Sequence, residues 1–266
     1  MSAPVQVFVL TYCRKIELLY GSELIFRTLR VGFPDARISI VDNASLPEAR
    51  SRIAALAREN DCEFREIEEP SVRHDRFLEG TLASVAETCD GPLVFLDPDL
   101  CLWENCEDLE FAGLIAGKVV AAHEDPAMQC VVMQRLHTSF LWIPDPCRLQ
   151  DEIGRIRTTH FDFHPFLPFS VKLGDAWIRY DTGASLFAAL GERASGFEER
   201  HLDRYDHIFC GSHIDMHEPS WDDEMRGLML RVHRSAREGN LESLRGIWRE
   251  QHRVFKQSAG PLTLRA

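Results

Sequence analysis

Leu93-Val94-Phe95-Leu96-Asp97-Pro98-Asp99-Leu100 is the stretch whose reading decides the fold of this chain. An apolar run of strand length stops abruptly at two carboxylates separated by one proline. Such a run reads as a strand buried on both faces, as in a parallel sheet. Ligands in open α/β sheets gather at the carboxyl ends of the strands. Two carboxylates at that edge repel each other unless a cation sits between them. Hard oxygen donors of this kind suit Mg2+ or Mn2+, with phosphate oxygens and water in the remaining positions. Asp97 and Asp99 are therefore expected to clamp a metal ion that carries a diphosphate. Asp and Pro are also common turn residues, so the surrounding chain has to decide between a clamp and a surface turn.

Upstream, Val5-Gln6-Val7-Phe8-Val9-Leu10 has the β-branched content of a strand. It ends in Thr11-Tyr12-Cys13-Arg14, whose polar and aromatic groups would reach the ligand edge. Ile16, Leu19, Tyr20 and Leu24 recur at helical spacing and predict a helix of about fifteen residues. After a turn at Phe33-Pro34-Asp35, Arg37-Ile38-Ser39-Ile40-Val41 reads as a second strand ending in Asp42-Asn43. Ser45-Leu46-Pro47-Glu48 predicts a helix start, with Ser45 as cap, Pro47 in the first turn and Glu48 closing a capping box. Ala49, Ile53 and Leu56 would face the core. Cys62 to Ile67 predicts a short third strand. Arg73-His74-Asp75-Arg76 is a polar cluster before another helix, whose Leu78, Leu82, Val85 and Cys89 share a face and which Gly91-Pro92 stops. Strands alternating with amphipathic helices mean right-handed βαβ units and a mainly parallel sheet. The chain has no GxGxxG and no GxxxxGK[ST], which disfavours a dinucleotide fold or a P-loop.

Downstream of residue 110 the alternation breaks down. Lys118-Val119-Val120-Ala121-Ala122 and Ser139-Phe140-Leu141-Trp142-Ile143 read as strands, with His137 just before the second. Residues 144–180, rich in Pro, Phe and Arg without a sustained period, are expected to form a long irregular segment over the sheet edge. Thr182 to Leu190 resumes a helix after Tyr180-Asp181. Tyr205-Asp206-His207-Ile208-Phe209-Cys210-Gly211-Ser212-His213 combines a short apolar run with flanking histidines. Asn240 is placed to cap a last helix carrying Leu241, Leu244, Trp248 and Phe255, with Arg245, Arg249 and Arg253 on its other face.

The 266 residues are 45% hydrophobic and 27% charged, an ordinary globular balance. A net charge of -12 argues against general nucleic-acid binding, which needs a basic footprint. An anionic ligand must then be received by local cations or a metal rather than by the overall field. Eight cysteines (13, 62, 89, 101, 106, 130, 147, 210) follow no framework spacing and read as free thiols. The N-terminus lacks the pattern of a signal peptide, and no stretch approaches the length of a transmembrane segment. A cytoplasmic location is the expectation.

The strand ending in Thr11-Tyr12, the Ile-Val-Asp-Asn at 40–43 and the Leu-Asp-Pro-Asp at 96–99 together resemble a GT-A glycosyltransferase. They are most similar to the large, inverting, nucleotide-sugar-dependent (family 2-like) enzymes. The resemblance covers the first 105 residues well and is weaker through 135–143 and 178–213. It implies an α/β, Rossmann-like GT-A fold: a mixed, mainly parallel sheet flanked by helices, with an irregular acceptor-side region and a C-terminal helix. Residues 1–266 would be a single domain, with a nucleotide-binding half (1–105), an acceptor-side half (106–225) and a C-terminal helical extension (226–266). Carried over, Thr11 and Tyr12 would line the base, with Arg14 beside them, and Asp42 would accept hydrogen bonds from base or ribose. Asp97 and Asp99 match the DxD motif, Pro98 being a stiff variant of its centre. A late histidine often adds a metal or diphosphate contact, and His207 is the first choice for it, His213 the second. His74 sits where related enzymes present polar groups to the donor, and Arg73 and Arg76 are placed to meet diphosphate. Inverting transfer needs a carboxylate to take the acceptor hydroxyl's proton. Asp181 is the choice, with Asp175, Asp206 and Asp215 as substitutes, although Asp before a helix is also a common cap. The implied cofactor is Mn2+ or Mg2+. The implied donor is a nucleoside-diphosphate sugar, UDP-sugar favoured, and the acceptor a glycan, lipid-linked sugar or small molecule. The aromatic segment 161–169 is either an acceptor wall or ordinary core.

Three other readings compete. A sugar nucleotidyltransferase of the same fold would need a Gly-rich loop after the first strand, where this chain has Thr-Tyr-Cys-Arg. A zinc hydrolase or zinc-binding module would use His160-x3-His164 or His213-x3-His217, but neither pair carries the Glu of HExxH. A non-catalytic binding module would have little reason to keep Asp42, Asp97 and Asp99.

Overall fold

The computed structural model describes residues 3–68, 70–88, 91–126, 128–208 and 223–247. Thirteen strands occur among them: β1 (Gln6–Thr11), β2 (Arg37–Asn43), β3 (Glu63–Ile67), β4 (Leu93–Leu96), β5 (Leu100–Leu102), β6 (Ile115–Val120), β7 (His123–Asp125), β8 (Cys130–Val132), β9 (Arg135–Ile143), β10 (Phe169–Leu173), β11 (Ala176–Tyr180), β12 (Ala194–Gly196) and β13 (Tyr205–His207). The α-helices are α1 (Leu19–Leu24), α2 (Leu29–Gly32), α3 (Pro47–Glu59), α4 (His74–Ala86), α5 (Pro146–Thr159), α6 (Ala184–Leu190), α7 (Glu199–Leu202) and α8 (Asp223–Glu238). Residues 241–247 are also helical.

Seven strands form the main sheet in the order β12-β6-β9-β4-β1-β2-β3. β3, β2, β1 and β4 run parallel, β9 is antiparallel to both β4 and β6, and β12 joins β6 in parallel. The result is a mixed, mainly parallel sheet flanked by helices. Alternation along the central strands builds a core on each face. Val7 and Val9 of β1 and Val94 and Leu96 of β4 pack with Ile25, Phe26, Leu29 and Ile53. Phe8, Leu93 and Phe95 face the other way, toward Phe77, Leu78 and Leu82 of α4 and Leu149 and Ile153 of α5. β4 is buried at all four positions, as its unbroken apolar run requires.

The order places β2 and β4 on opposite sides of β1, so the chain reverses direction of growth there. Crevices form at such switch points, outside the carboxyl ends of the strands. Thr11 closes β1 and Asp97 follows β4, both at this edge.

Several local expectations need correction. The helix expected from Ile16 onward is segmented into a 3-10 turn, α1, a second 3-10 turn and α2. Its ladder breaks at Ile25, whose N–H donates to Pro98 O at 3.0 Å. The first cap of α3 is Leu46, and no capping box forms at Ser45 and Glu48. Ser45 Oγ instead accepts the Cys13 N–H at 2.8 Å, tying the β2–α3 loop to the end of β1. Residues 144–180 are not irregular: they contain α5 and the β10–β11 hairpin. Asp145 caps α5 by accepting from Arg148 N, and Pro146 fills the first turn. Phe166 of the aromatic segment is core, whereas Phe161 is 88% exposed. Asn240 does cap the helix that follows it, accepting from Ser243 N at 3.0 Å. Cys89, Cys210, Trp248, Arg249, Arg253 and Phe255 lie outside the described residues. The six described cysteines are free thiols. No helix among the described residues is long and apolar enough to cross a membrane.

Candidate metal centre

The Asp97-Pro98-Asp99 turn is held by backbone bonds at three successive residues. Asp97 N–H donates to Ser139 O at 2.8 Å, Pro98 O accepts from Ile25 N, and Asp99 O accepts from Ile208 N at 3.0 Å. β5 begins immediately after the turn and pairs antiparallel with β13, setting His207 opposite Leu100. A histidine more than one hundred residues away is thereby carried to the two aspartates.

One ligand atom from each of Asp97, Asp99 and His207 lies within 4.8 Å of the others. His207 Nε2 is 3.1 Å from Asp99 Oδ1 and 4.0 Å from Asp97 Oδ2. Asp99 is buried, and Asp97 keeps 26% of its side chain exposed. Burial works against a charge on His207, yet the two carboxylates prevail and raise its pKa above the ordinary value. The site thus favours positive charge between its acids. Two carboxylates and an imidazole fit a divalent ion.

His137 packs edge-on against His207 with ring centroids 5.1 Å apart. Its Nδ1 accepts the Ser139 N–H at 3.2 Å. Burial first, then the positive charges of His207, Arg135, Lys118 and His74, push its pKa well below the usual value. Sequence reasoning gave no role to His137 or Lys118, because their place here depends on a break in strand pairing.

The other candidates divide by environment. Tyr12 is half-buried and Arg14 exposed, its guanidinium 5.4 Å from the Tyr12 ring centroid. Thr11 and Asp42 are fully buried, and Thr11 Oγ1 lies 3.3 Å from Asp42 Oδ2. Asp42 Oδ1 also accepts from Ser45 N and pairs with Arg50 Nε at 3.3 Å. His74 opens α4 and is half-buried. Arg73 pairs with Asp75 and Arg76 with Glu79. Asp181 follows β11, pairs with Arg135 Nη2 at 2.9 Å and accepts from Thr182 N. It is not the cap of α6, which is Gly183. Of its substitutes, Asp206 is buried and accepts from Trp103 Nε1, and Asp175 lies in the turn of the β10–β11 hairpin. His213, Asp215 and His217 lie outside the described residues.

The fold and this cluster define a class: an α/β domain with an Asp-Asp-His group, able to hold a divalent ion, at the carboxyl edge of its parallel strands. No protein-family model matches the chain. No curated protein matches it either. Among solved structures, the glycosyltransferase GlyE of Streptococcus pneumoniae TIGR4 is 12% identical with a TM-score of 0.42, over 75% of this chain and 46% of that one. The chain thus spans about half the length of GlyE. The mannosyltransferase PcManGT from Pyrobaculum calidifontis, in complex with GDP-Man and Mn2+, is 13% identical with a TM-score of 0.44, over 98% and 77%. The 4-diphosphocytidyl-2C-methyl-D-erythritol synthase from Anaerococcus prevotii DSM 20548 is 10% identical with a TM-score of 0.45, over 76% and 92%.

Proposed function

We propose that this protein is a metal-dependent glycosyltransferase that moves a sugar from a nucleoside-diphosphate donor to an acceptor hydroxyl with inversion. The observation that carries the reading is the Asp97–Asp99–His207 group at the carboxyl edge of the sheet, at the switch point where β2 and β4 flank β1. These three residues would hold Mn2+ or Mg2+, and the ion supplies charge neutralisation for a departing diphosphate. Tyr12, Arg14 and His74 contact the nucleoside and its phosphates, with UDP favoured. Thr11 and Asp42 shape the base side of the pocket from within the fold. Asp181, held by Arg135 and the Thr182 N–H, takes the acceptor hydroxyl's proton as that oxygen attacks the anomeric carbon and the bond to the diphosphate oxygen breaks.

Incubation with UDP- and GDP-sugars and Mn2+ tests the reading through nucleotide release. The expected result is slow, metal-dependent donor hydrolysis that EDTA stops and Asp99→Ala abolishes. Release unaffected by EDTA, or unchanged in Asp99→Ala, would overturn the metal-centred mechanism.

A further inference from the structure

We propose that Lys118 is a second cationic contact for the diphosphate, acting beside the metal ligands. This rests on the transferase reading above. The ladder between β6 and β9 pairs Gly117 with Leu141 and then Val119 with Leu136, so Lys118 alone faces residues 137–140 of β9. Breaks of this kind re-aim side chains and are common beside active sites. The bulged segment is itself fastened to the metal centre, through Ser139 O to the Asp97 N–H and through His137 against His207. Lys118 is near enough for its charge to act on both His137 and His207, and Asp206 acts on it in turn.

Lys118 is half-buried and, among the described residues, its ammonium makes no hydrogen bond and no ion pair within 4.0 Å. A cation withdrawn from water without a contacting partner is costly, and burial accordingly lowers its pKa. Arg135, which acts on His137 together with Lys118, is already committed to Asp181. A divalent ion between Asp97 and Asp99 balances only those two carboxylates. An arriving diphosphate brings further negative charge into a protein whose net charge is already -12, and Lys118 is, among the described residues, a cation without a carboxylate contact whose charge is felt at His137 and His207.

Calorimetric titration of the full chain separates the possibilities, using MnCl2 alone, then inorganic pyrophosphate, UDP and UMP in the presence of Mn2+. Lys118→Met should weaken pyrophosphate and UDP by about tenfold or more, the worth of a charge-assisted contact. It should leave the Mn2+ titration unchanged and affect UMP less, and Lys118→Arg should recover most of the loss. Pyrophosphate that binds Lys118→Met as it binds the wild type, or that does not bind the wild type, overturns the proposal. If Lys118→Met melts early, Lys118→Gln takes its place, and a parallel loss of Mn2+ and pyrophosphate binding would mark Lys118 as structural only. A wild-type chain that binds pyrophosphate through Lys118 but gains nothing from the nucleoside of UDP or GDP would sink the nucleotide-sugar reading and leave the lysine assignment standing.

Discussion

Asp42 is fully shielded from solvent, and its carboxylate is shared among the Ser45 N–H, the Arg50 guanidinium and the Thr11 hydroxyl. The same loop holds Ala44 in the left-handed region at φ 58°, which costs an L-residue roughly 1–2 kcal/mol. Asn43 fixes it from the other side, exchanging two bonds of 2.7 Å with the Val72 backbone. Asp42 therefore joins the ends of β1 and β2 and keeps a strained turn in place beneath the proposed nucleoside pocket. Asp42→Asn keeps the shape but gives up the charge that these donors answer. It should lower stability at neutral pH by about 1–3 kcal/mol, the usual cost of weakening a buried charge-assisted bond. Urea unfolding checks this, and an unchanged midpoint would mean that the carboxylate is kept for a ligand and contributes nothing to the fold.

α5 shows at the scale of an element what charge can hide and what it can hold. Glu152 accepts from Arg155 and from Arg193, which precedes β12, so one carboxylate links the helix to the far edge of the main sheet. Hydrogen bonding from Arg155 is the first cause that lowers its pKa from 4.5 to about 2. A depressed folded-state pKa means stabilisation that is present above the unfolded value and lost as pH falls through the folded one. The stability difference between wild type and Glu152→Gln should therefore be constant near neutrality, shrink below pH 4.5 and vanish near pH 2. Thermal melts across that range measure it, and a difference independent of pH would refute the link. The same charges concealed the helix in the sequence, since Leu149, Ile153 and Ile156 are its only fully apolar core contacts beyond Pro146. By contrast β1, β2 and β4 were legible as apolar, β-branched runs of strand length, and α3 and α4 by their apolar period of 3.6. What stayed illegible was decided by distant partners. Ile25 gives its N–H to Pro98, Ser45 turns to Cys13, and His137, which packs against His207, lies with Lys118 where β6 and β9 fall out of register. The acid pair could be read from the end of an apolar run, while the position of His207 beside it follows from β5 pairing with β13.

Across the whole molecule, the Asp97–Asp99–His207 cluster is backed by helices that follow it in the chain. Met229, Val232 and Ala236 of α8 and Leu244 of the 241–247 helix form one core with Leu24, Cys101 and Ile208. Cys101 lies in β5, and Ile208 directly follows His207 and donates to Asp99 O. Gly239, at φ 66°, lets α8 end against Arg27: a Cβ there would come within 2.4 Å of the guanidinium. Arg237 stacks over Tyr20 and Arg245 over Trp103, so these cations fasten the helices down. The strand that carries His207 is short, and a three-residue ladder has little rigidity of its own. Its position therefore depends on this third core. Leu244 is fully buried and distant in sequence from every proposed ligand, which makes it a clean probe. Leu244→Ala should cost about 2–5 kcal/mol in stability, as other truncations of buried leucine do. It should also weaken Mn2+ binding measured well below the melting temperature, because β13 loses the packing that holds His207 against Asp99. Mn2+ affinity equal to that of the wild type, in a variant that melts earlier, would show that the helices stabilise the chain without positioning its metal site.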